Sequence, residues 1–457
     1  MTTLQCISPI DGSVYATRPV LTAKQAKEAA RRARAAQKAW AARPLQERID
    51  LVLAGVAGIG RTTNRMAEEL AHQMGRPIRY GGEFGGFNER ASYMASIAAD
   101  ALADMVIEDS ATATRKIKRE PVGVVLIVAP WNYPYMTAIN TLAPALIAGN
   151  TVILKHATQT LLVGEHLAEA FHAAGVPEDV FQNVFLDHGT TSELIAGGAF
   201  DFVNFTGSVS GGKAMEVAAA GTFTAVATEL GGKDPGYVRA DADVDAAVAG
   251  LIDGAMFNSG QCCCGIERIY VHESLFDAFV AKSVELVKGY RLGNPLDETT
   301  DIGPMANVRF AAVVRAQLRD ALKRGATAHI ETFPQDDGAA YVTPQILTGV
   351  SHSMQVMTEE TFGPVVGIMP VKDDEEAIAL MNDSQYGLTV SLWTKDSAAA
   401  EEIGGRLETG TVFMNRCDYL DPALCWTGCK DTGRGTGLSV LGYHALTRPK
   451  SYHLKKG

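Results

Sequence analysis

Cys262, Cys263 and Cys264 stand in a row within the segment Asn258-Ser259-Gly260-Gln261-Cys262-Cys263-Cys264-Gly265. A thiolate is a strong nucleophile near neutral pH, so a cysteine here could attack an electrophilic carbon and carry it covalently. The competing reading is three small, reduced, buried hydrophobes, because free cysteine is among the most buried residue types. No metal is expected, since three adjacent side chains should not all turn toward one tetrahedral ion. The total of seven cysteines in a 457-residue chain is odd and is not a disulfide framework.

Two further stretches carry chemistry-bearing residues. Glu229 ends an apolar run just before Leu230-Gly231-Gly232. A carboxylate there is either a satisfied structural acid or a base beside a ligand. Phe205-Thr206-Gly207-Ser208 leads to Gly211-Gly212. A Gly-Ser turn opening a helix can present backbone N–H groups to a phosphate, although it is not the GxGxxG pattern.

The elements that position these residues follow from periodicity. Thr22 to Gln25 is a capping-box spacing, followed by an Ala-rich helix to about 42, and helical patterning continues to about 105. The first hundred residues therefore read as mostly helix. A polar β-like stretch covers 113–119, and residues 122–129 form a wholly apolar strand suited to a parallel sheet. From there strands and helices alternate, the signature of a doubly wound α/β sheet, which binds ligands beyond the carboxyl ends of its strands. The cysteine run falls in a second α/β block.

Composition limits the function classes. A formal net charge of −11 argues against a nucleic-acid or anionic-membrane partner. No run reaches the roughly 18 apolar residues of a membrane span, and no secretory pattern opens the chain, so a cytoplasmic location is expected.

Five motifs, in order, resemble the aldehyde dehydrogenase superfamily along nearly the whole chain. They are Pro130-Trp131-Asn132-Tyr133-Pro134, Phe205-Thr206-Gly207-Ser208, Glu229-Leu230-Gly231-Gly232, Gly260-Gln261-Cys262-Cys263 and Glu360-Thr361-Phe362-Gly363-Pro364. The resemblance implies a Rossmann-like cofactor domain (1–105 and 121–230), an α/β catalytic domain (231–436), and a small β oligomerisation arm with a C-terminal strand (106–120 and 437–457). It implies Cys263 as nucleophile, Glu229 as hydrolytic base and Asn132 as oxyanion donor. Cofactor contacts are implied at Trp131, Lys155, Thr158, Gly207, Ser208, Gly212, Leu230, Gly231, Glu360 and Phe362. Tyr133 and Trp426 map to the substrate funnel, and Tyr419 is a further candidate. The substrate is a small-molecule aldehyde, the cofactor NAD or NADP, and the assembly a homodimer or homotetramer.

The departures concern detail. Thr158 stands where many members carry a glutamate that grips the adenine ribose, so NADP is expected to be accepted well. Asn140 and Thr141 replace the arginine and lysine of succinate-semialdehyde enzymes, and Gly437 replaces a late, proton-relaying glutamate. Asp418 and Asp421 are read as loop surface, with selection of cationic aldehydes as the alternative.

Overall fold

The computed structural model of the chain describes residues 2–330 and 339–456. Met1, residues 331–338 and Gly457, which fall inside the expected divisions, lie outside the described residues. Five strands form a parallel sheet in the spatial order Phe181–Asn183, Thr151–Lys155, Val124–Val128, Phe202–Thr206, Ala225–Glu229. Counted along the chain the order is 3-2-1-4-5, so it reverses between Val124–Val128 and Phe202–Thr206. All five residues of Val124–Val128 are apolar and buried, as a strand covered on both faces requires.

One of those faces is covered by the helix Ala23–Ala41, whose Ala26, Ala29, Ala30 and Ala33 pack against Val124, Leu126 and Val128. The expected capping box starts this helix: Thr22 accepts from the Gln25 N–H, and the Gln25 side chain accepts from the Thr22 N–H at 2.9 Å. Such caps stabilise a helix by about 1 kcal/mol.

Seven described strands form the second sheet, in the order Thr327–Ala328, Gln345–Thr348, Val365–Val371, Ile266–His272, Asp234–Val238, Thr389–Trp393, Thr411–Met414. Only the first pair is antiparallel. Glu229 closes the last strand of the first sheet and Asp234 opens a strand of the second. The crossing between them sets the carboxyl edge of the first sheet against the amino edge of the second. Most motif residues collect at that seam.

A third, antiparallel sheet joins Met105–Asp109, Ala113–Pro121 and Thr447–Lys455, with Ala113–Pro121 in the middle. Within 437–457, expected to hold the C-terminal strand, only Thr447–Lys455 is strand. Ser439–Ala445 is a helix, and the buried Tyr443 hydroxyl donates to the Met94 carbonyl at 2.7 Å. Leu438, Tyr443 and Leu446 fill the first core at helical rather than strand spacing. The first hundred residues are mostly helix, as expected, in Ala23–Ala41, Leu45–Gly60, Thr63–Met74 and Phe84–Ala101. They also hold an antiparallel hairpin, Thr3–Ile7 with Val14–Pro19, whose mixed polar pattern gave no strand signal. No helix among the described residues is long and apolar enough to cross a membrane.

Candidate active site

Three turns meet at the seam. The first follows Val124–Val128 and carries Trp131 and Asn132 before the helix Pro134–Ala148. The Asn132 carbonyl accepts from Arg76 Nη2 and from Asn258 Nδ2, the latter at 3.4 Å. Asn258 Nδ2 also donates to the Gln261 carbonyl at 3.1 Å, so one amide ties the Asn132 turn to the cysteine loop. The Asn132 side chain is buried and bonds to none of the described residues, which leaves its amide available as a donor.

The second turn is the cysteine loop, where Asn258, Ser259 and Gly260 all have positive φ, at 55°, 59° and 70°. For the two non-glycine residues this costs about 1–2 kcal/mol each. Ser259 Oγ donates to the Gly303 carbonyl at 2.9 Å, Gln261 Nε2 to the Asn258 carbonyl at 3.1 Å, and Gln261 Oε1 accepts from the Ala306 N–H at 2.7 Å. A Cβ on Gly260 would lie 2.2 Å from the Gly363 carbonyl, so the loop can lie there only with glycine.

The third turn is Glu229 to Gly232. A Cβ on Gly232 would stand 2.7 Å from the Cys263 carbonyl, which places the cysteine loop directly on the segment after Glu229. Glu229 Oε2 accepts from Thr206 Oγ1 at 3.4 Å, and a Cβ on Gly437 would be 3.0 Å from Glu229 Oε1. With glycine at 437, no side chain from that residue screens the carboxylate.

The electrostatics separate the three thiols. Their neighbouring thiols, Cys262 and Cys264, hold Cys263 well below the usual thiol range, and the Arg90 charge adds to this. Cys262 and Cys264 are raised well above it, first by hydrogen bonding within the cluster and then by burial. Cys263 is therefore the most readily ionised of the three thiols. Burial, then the Cys263 charge, pushes Glu229 up to about 7, where a carboxyl group can both take and give a proton.

Ser208 caps the helix Val209–Ala219, accepting from Gly211 N–H at 3.2 Å. Gly207 and Gly212 lie where a Cβ would strike Phe205 and Leu230. Lys155 ends its strand buried, not as a surface lysine, and burial lowers its pKa. Thr158 is exposed three residues on. Glu360 Oε1 accepts from the Gly232 N–H at 3.2 Å and lies against Gly231, and burial raises its pKa to about 8. Phe362 meets Trp131 edge-on at 5.5 Å, and Phe310 stacks on Trp131 at 5.0 Å. A cation–acid pair sets this segment: Glu267 accepts from Lys233 Nζ at 2.6 Å and from the Thr361 and Phe362 N–H groups at 2.7 and 2.8 Å. Trp426 is buried and packs with Tyr133 and Cys263 in one core, whereas Tyr419 donates outward to Glu89 at 2.6 Å.

Two sequence expectations fail here. The three Sγ atoms of residues 262–264 lie within 4.8 Å of one another, so adjacent cysteines do converge. A left-handed turn precedes them, and the trio could hold a metal ion. Asp418 is not plain loop surface either. Its Oδ1 accepts from Cys262 at 3.1 Å and Cys264 at 3.0 Å, and burial lifts the carboxyl to about 6. Sequence reasoning also missed Arg76, Glu83 and Arg90. Glu83 pairs with Arg76 at 2.7 Å and accepts from the Met136 N–H at 2.8 Å, which fixes the helix after Asn132.

Comparisons with known proteins agree with one another. The sequence model described as "Aldehyde dehydrogenase family" matches residues 1–452. An aldehyde dehydrogenase of Paenarthrobacter nicotinovorans is 38% identical over 336 residues, 73% of this chain and 73% of its own. A 2-hydroxymuconic semialdehyde dehydrogenase of Pseudomonas putida is 33% identical, across 98% of this chain and 95% of its own. The crystal structure of an NADP-dependent glyceraldehyde-3-phosphate dehydrogenase from Bacillus halodurans C-125, complexed with NADP, superposes with a TM-score of 0.94 at 33% identity, covering 100% of this chain and 96% of that one. With the Rossmann-like sheet and the motif turns gathered at its seam, these matches establish that the chain belongs to the aldehyde dehydrogenase family.

Proposed function

We propose that this chain oxidises an aldehyde to the free carboxylic acid, using NAD or NADP, through a covalent adduct on Cys263. The carrying observation is one depressed thiol, set between two raised ones and on the segment that follows a carboxylate poised near 7. A bare aldehyde is a poor hydride donor. Attack by the Cys263 thiolate makes a tetrahedral thiohemiacetal, whose oxyanion receives hydrogen bonds from the Asn132 amide and the Cys263 N–H. Oxidised nicotinamide, when bound, would supply the hydride acceptor, and Cys263 would then carry the acyl group as a thioester. Glu229 takes a proton from water, the resulting hydroxide attacks the thioester carbon, and the C–S bond breaks to release the acid and the thiolate. The unscreened Glu229 carboxylate favours hydrolysis over transfer to coenzyme A. Tyr133 and Trp426 would flank the aldehyde. Purified protein given NAD or NADP and a panel of aldehydes should form reduced nicotinamide without coenzyme A. No reduction with any aldehyde would mean a silent relative.

The residue types at these turns suit such a cofactor. Ser208 and the helix start at Val209–Ala219 would face its pyrophosphate, Lys155 and Thr158 its adenine ribose, and Glu360 the other ribose. Trp131, Phe362, Leu230 and Gly231 would enclose the nicotinamide. Lys155 has no carboxylate within ion-pair distance among the described residues, so its charge is available to a phosphate. Exposed Thr158 adds no repulsion, whereas a glutamate would face a group of roughly −2 charge. Thr158→Glu should lower kcat/KM for NADP relative to NAD on the order of 100-fold. An unchanged ratio would remove residue 158 from the ribose site.

Assembly is a further expectation. Met105, Val106 and Ile107 lie on an edge strand of the arm and are exposed at 57, 60 and 55%. An apolar open edge pairs readily with another chain. Dilute light scattering should give the mass of a homodimer or homotetramer, and a folded, active monomer would contradict this.

A further inference from the structure

The turn Gly75-Arg76-Pro77 ends the helix Thr63–Met74 and belongs to none of the five motifs. Gly75 has φ 83°, and a Cβ there would stand 2.5 Å from the Pro304 carbonyl. A Cβ on Gly303 would in turn strike the Gly75 carbonyl, so the two backbones touch. Ser259 and Gln261 of the cysteine loop bond to that same segment, at the Gly303 carbonyl and the Ala306 N–H. The main chain of Arg76 is thus braced on the cysteine loop through residues 303–306.

The Arg76 side chain is 4% exposed, and each arm of its guanidinium meets a different partner. Nη1 pairs with Glu83 Oε1 at 2.7 Å, Nε donates to Asn258 Oδ1 at 3.2 Å, and Nη2 donates to the Asn132 carbonyl. Its Cζ stands 4.7 Å from the centre of the Tyr133 ring. The other oxygen of buried Glu83 accepts from the Met136 N–H at 2.8 Å. Asn258 Nδ2 in turn donates to the Asn132 carbonyl at 3.4 Å and to the Gln261 carbonyl at 3.1 Å. One planar cation therefore ties together the turn that carries Asn132, the helix behind it and the loop that carries Cys263.

The Asn132 amide and the Cys263 N–H, the two donors proposed for the oxyanion, come from separate segments of the chain. Such donors stabilise charge only when both aim at one point before the charge develops. Arg76 touches neither donor group; it holds the main chain that carries each. A rigid fork can serve three acceptors in fixed directions, whereas an ammonium on a flexible stem does not hold that geometry.

We propose that Arg76 is a positioning residue of the oxyanion site, keeping the Asn132 turn in register with the cysteine loop so that both donors address the same oxygen. This rests on the oxidation at Cys263 proposed above.

The first burst of reduced nicotinamide tests it, because the burst amplitude counts competent sites and its rate reports the step in which the oxyanion forms. Arg76→Lys should keep the amplitude and lower the burst rate on the order of 100-fold, with KM for the aldehyde changed only a few-fold. A role confined to folding would lower the amplitude and the melting temperature and leave the rate per competent site unchanged, and that result would overturn the proposal. If Arg76→Lys does not fold, Glu83→Gln releases one arm and leaves the arginine in place. It should lower the burst rate on the order of tenfold, and an unchanged rate would overturn the proposal equally. Asn132→Ala removes a donor that Arg76 positions. Arg76→Lys added to that variant should therefore cost at least about tenfold less than it costs in wild type. Losses that multiply in full would mean that Arg76 does not act through Asn132. A wild type that forms no reduced nicotinamide with any aldehyde would sink the reaction and this role together, whereas an active wild type beside an unaffected Arg76→Lys would sink the role alone.

Discussion

Cys263→Ala should abolish aldehyde oxidation, by at least about 10⁴-fold in kcat, as removal of a covalent nucleophile does. Cys262→Ala and Cys264→Ala should remain active. The reason is electrostatic rather than positional alone. All three sulfurs lie within 4.8 Å, so proximity does not select among them. Cys262 and Cys264 both hydrogen-bond to Asp418 and are held above the usual thiol range, which keeps them protonated. Cys263 is held below it by those same neighbours. Removing either neighbour should therefore move the pH at which iodoacetamide alkylates Cys263 upward while the residue stays competent. If Cys262→Ala or Cys264→Ala is dead and Cys263→Ala turns over, the assignment of the nucleophile is wrong.

Glu229→Gln should lower steady turnover about 10²–10⁴-fold, the range of general-base effects. It should spare the first burst of reduced nicotinamide, because the base acts only after hydride loss. The pH dependence follows from the same group. The base works ionised, and burial has raised its pKa to about 7, so hydrolysis should fall as pH drops through 7. That limb should be absent in Glu229→Gln. Stability has the opposite sign: a carboxyl raised on folding favours the folded chain where it is protonated. Glu229→Gln should therefore be at least as stable as wild type near pH 8, which separates lost chemistry from lost fold. Wild-type turnover in the variant, or an equal loss of burst and steady rate, would exclude the hydrolytic role.

How far the sequence carried the account depended on whether the signal was local. Val124–Val128 is wholly apolar, and its strand could be read without knowing its neighbours. Asn132, Ser208, Glu229 and Cys263 each sit at the end of an element beside a short motif, so local chemistry marked them. Arg90 did not stand out because it lies in an Ala-rich helix where a lone cation reads as a solvated face. Its contacts with the Met136 carbonyl and Asn140 Oδ1 exist only once the helix Phe84–Ala101 packs on Pro134–Ala148. Asp418 reaches the cysteines from more than 150 positions along the chain, and no motif encodes that. The convergence of three adjacent thiols is a property of the folded loop, which also holds Asn258 and Ser259 in left-handed conformations that neither residue type dictates. The terminal helix was taken for strand because the arm's polar alternation begins only at Thr447, after a short apolar segment compatible with either period.

The central claim is that the aldehyde carbon passes through a thioester on Cys263 that Glu229 hydrolyses. The Glu229→Gln variant, mixed with an aldehyde it binds and with NAD or NADP, quenched in acid and digested, should yield the peptide spanning residues 262–264 with one acyl group added. Fragment masses should place that group on the middle cysteine. An acyl group on Cys262 or Cys264, or none at all while reduced nicotinamide has formed, would contradict the account.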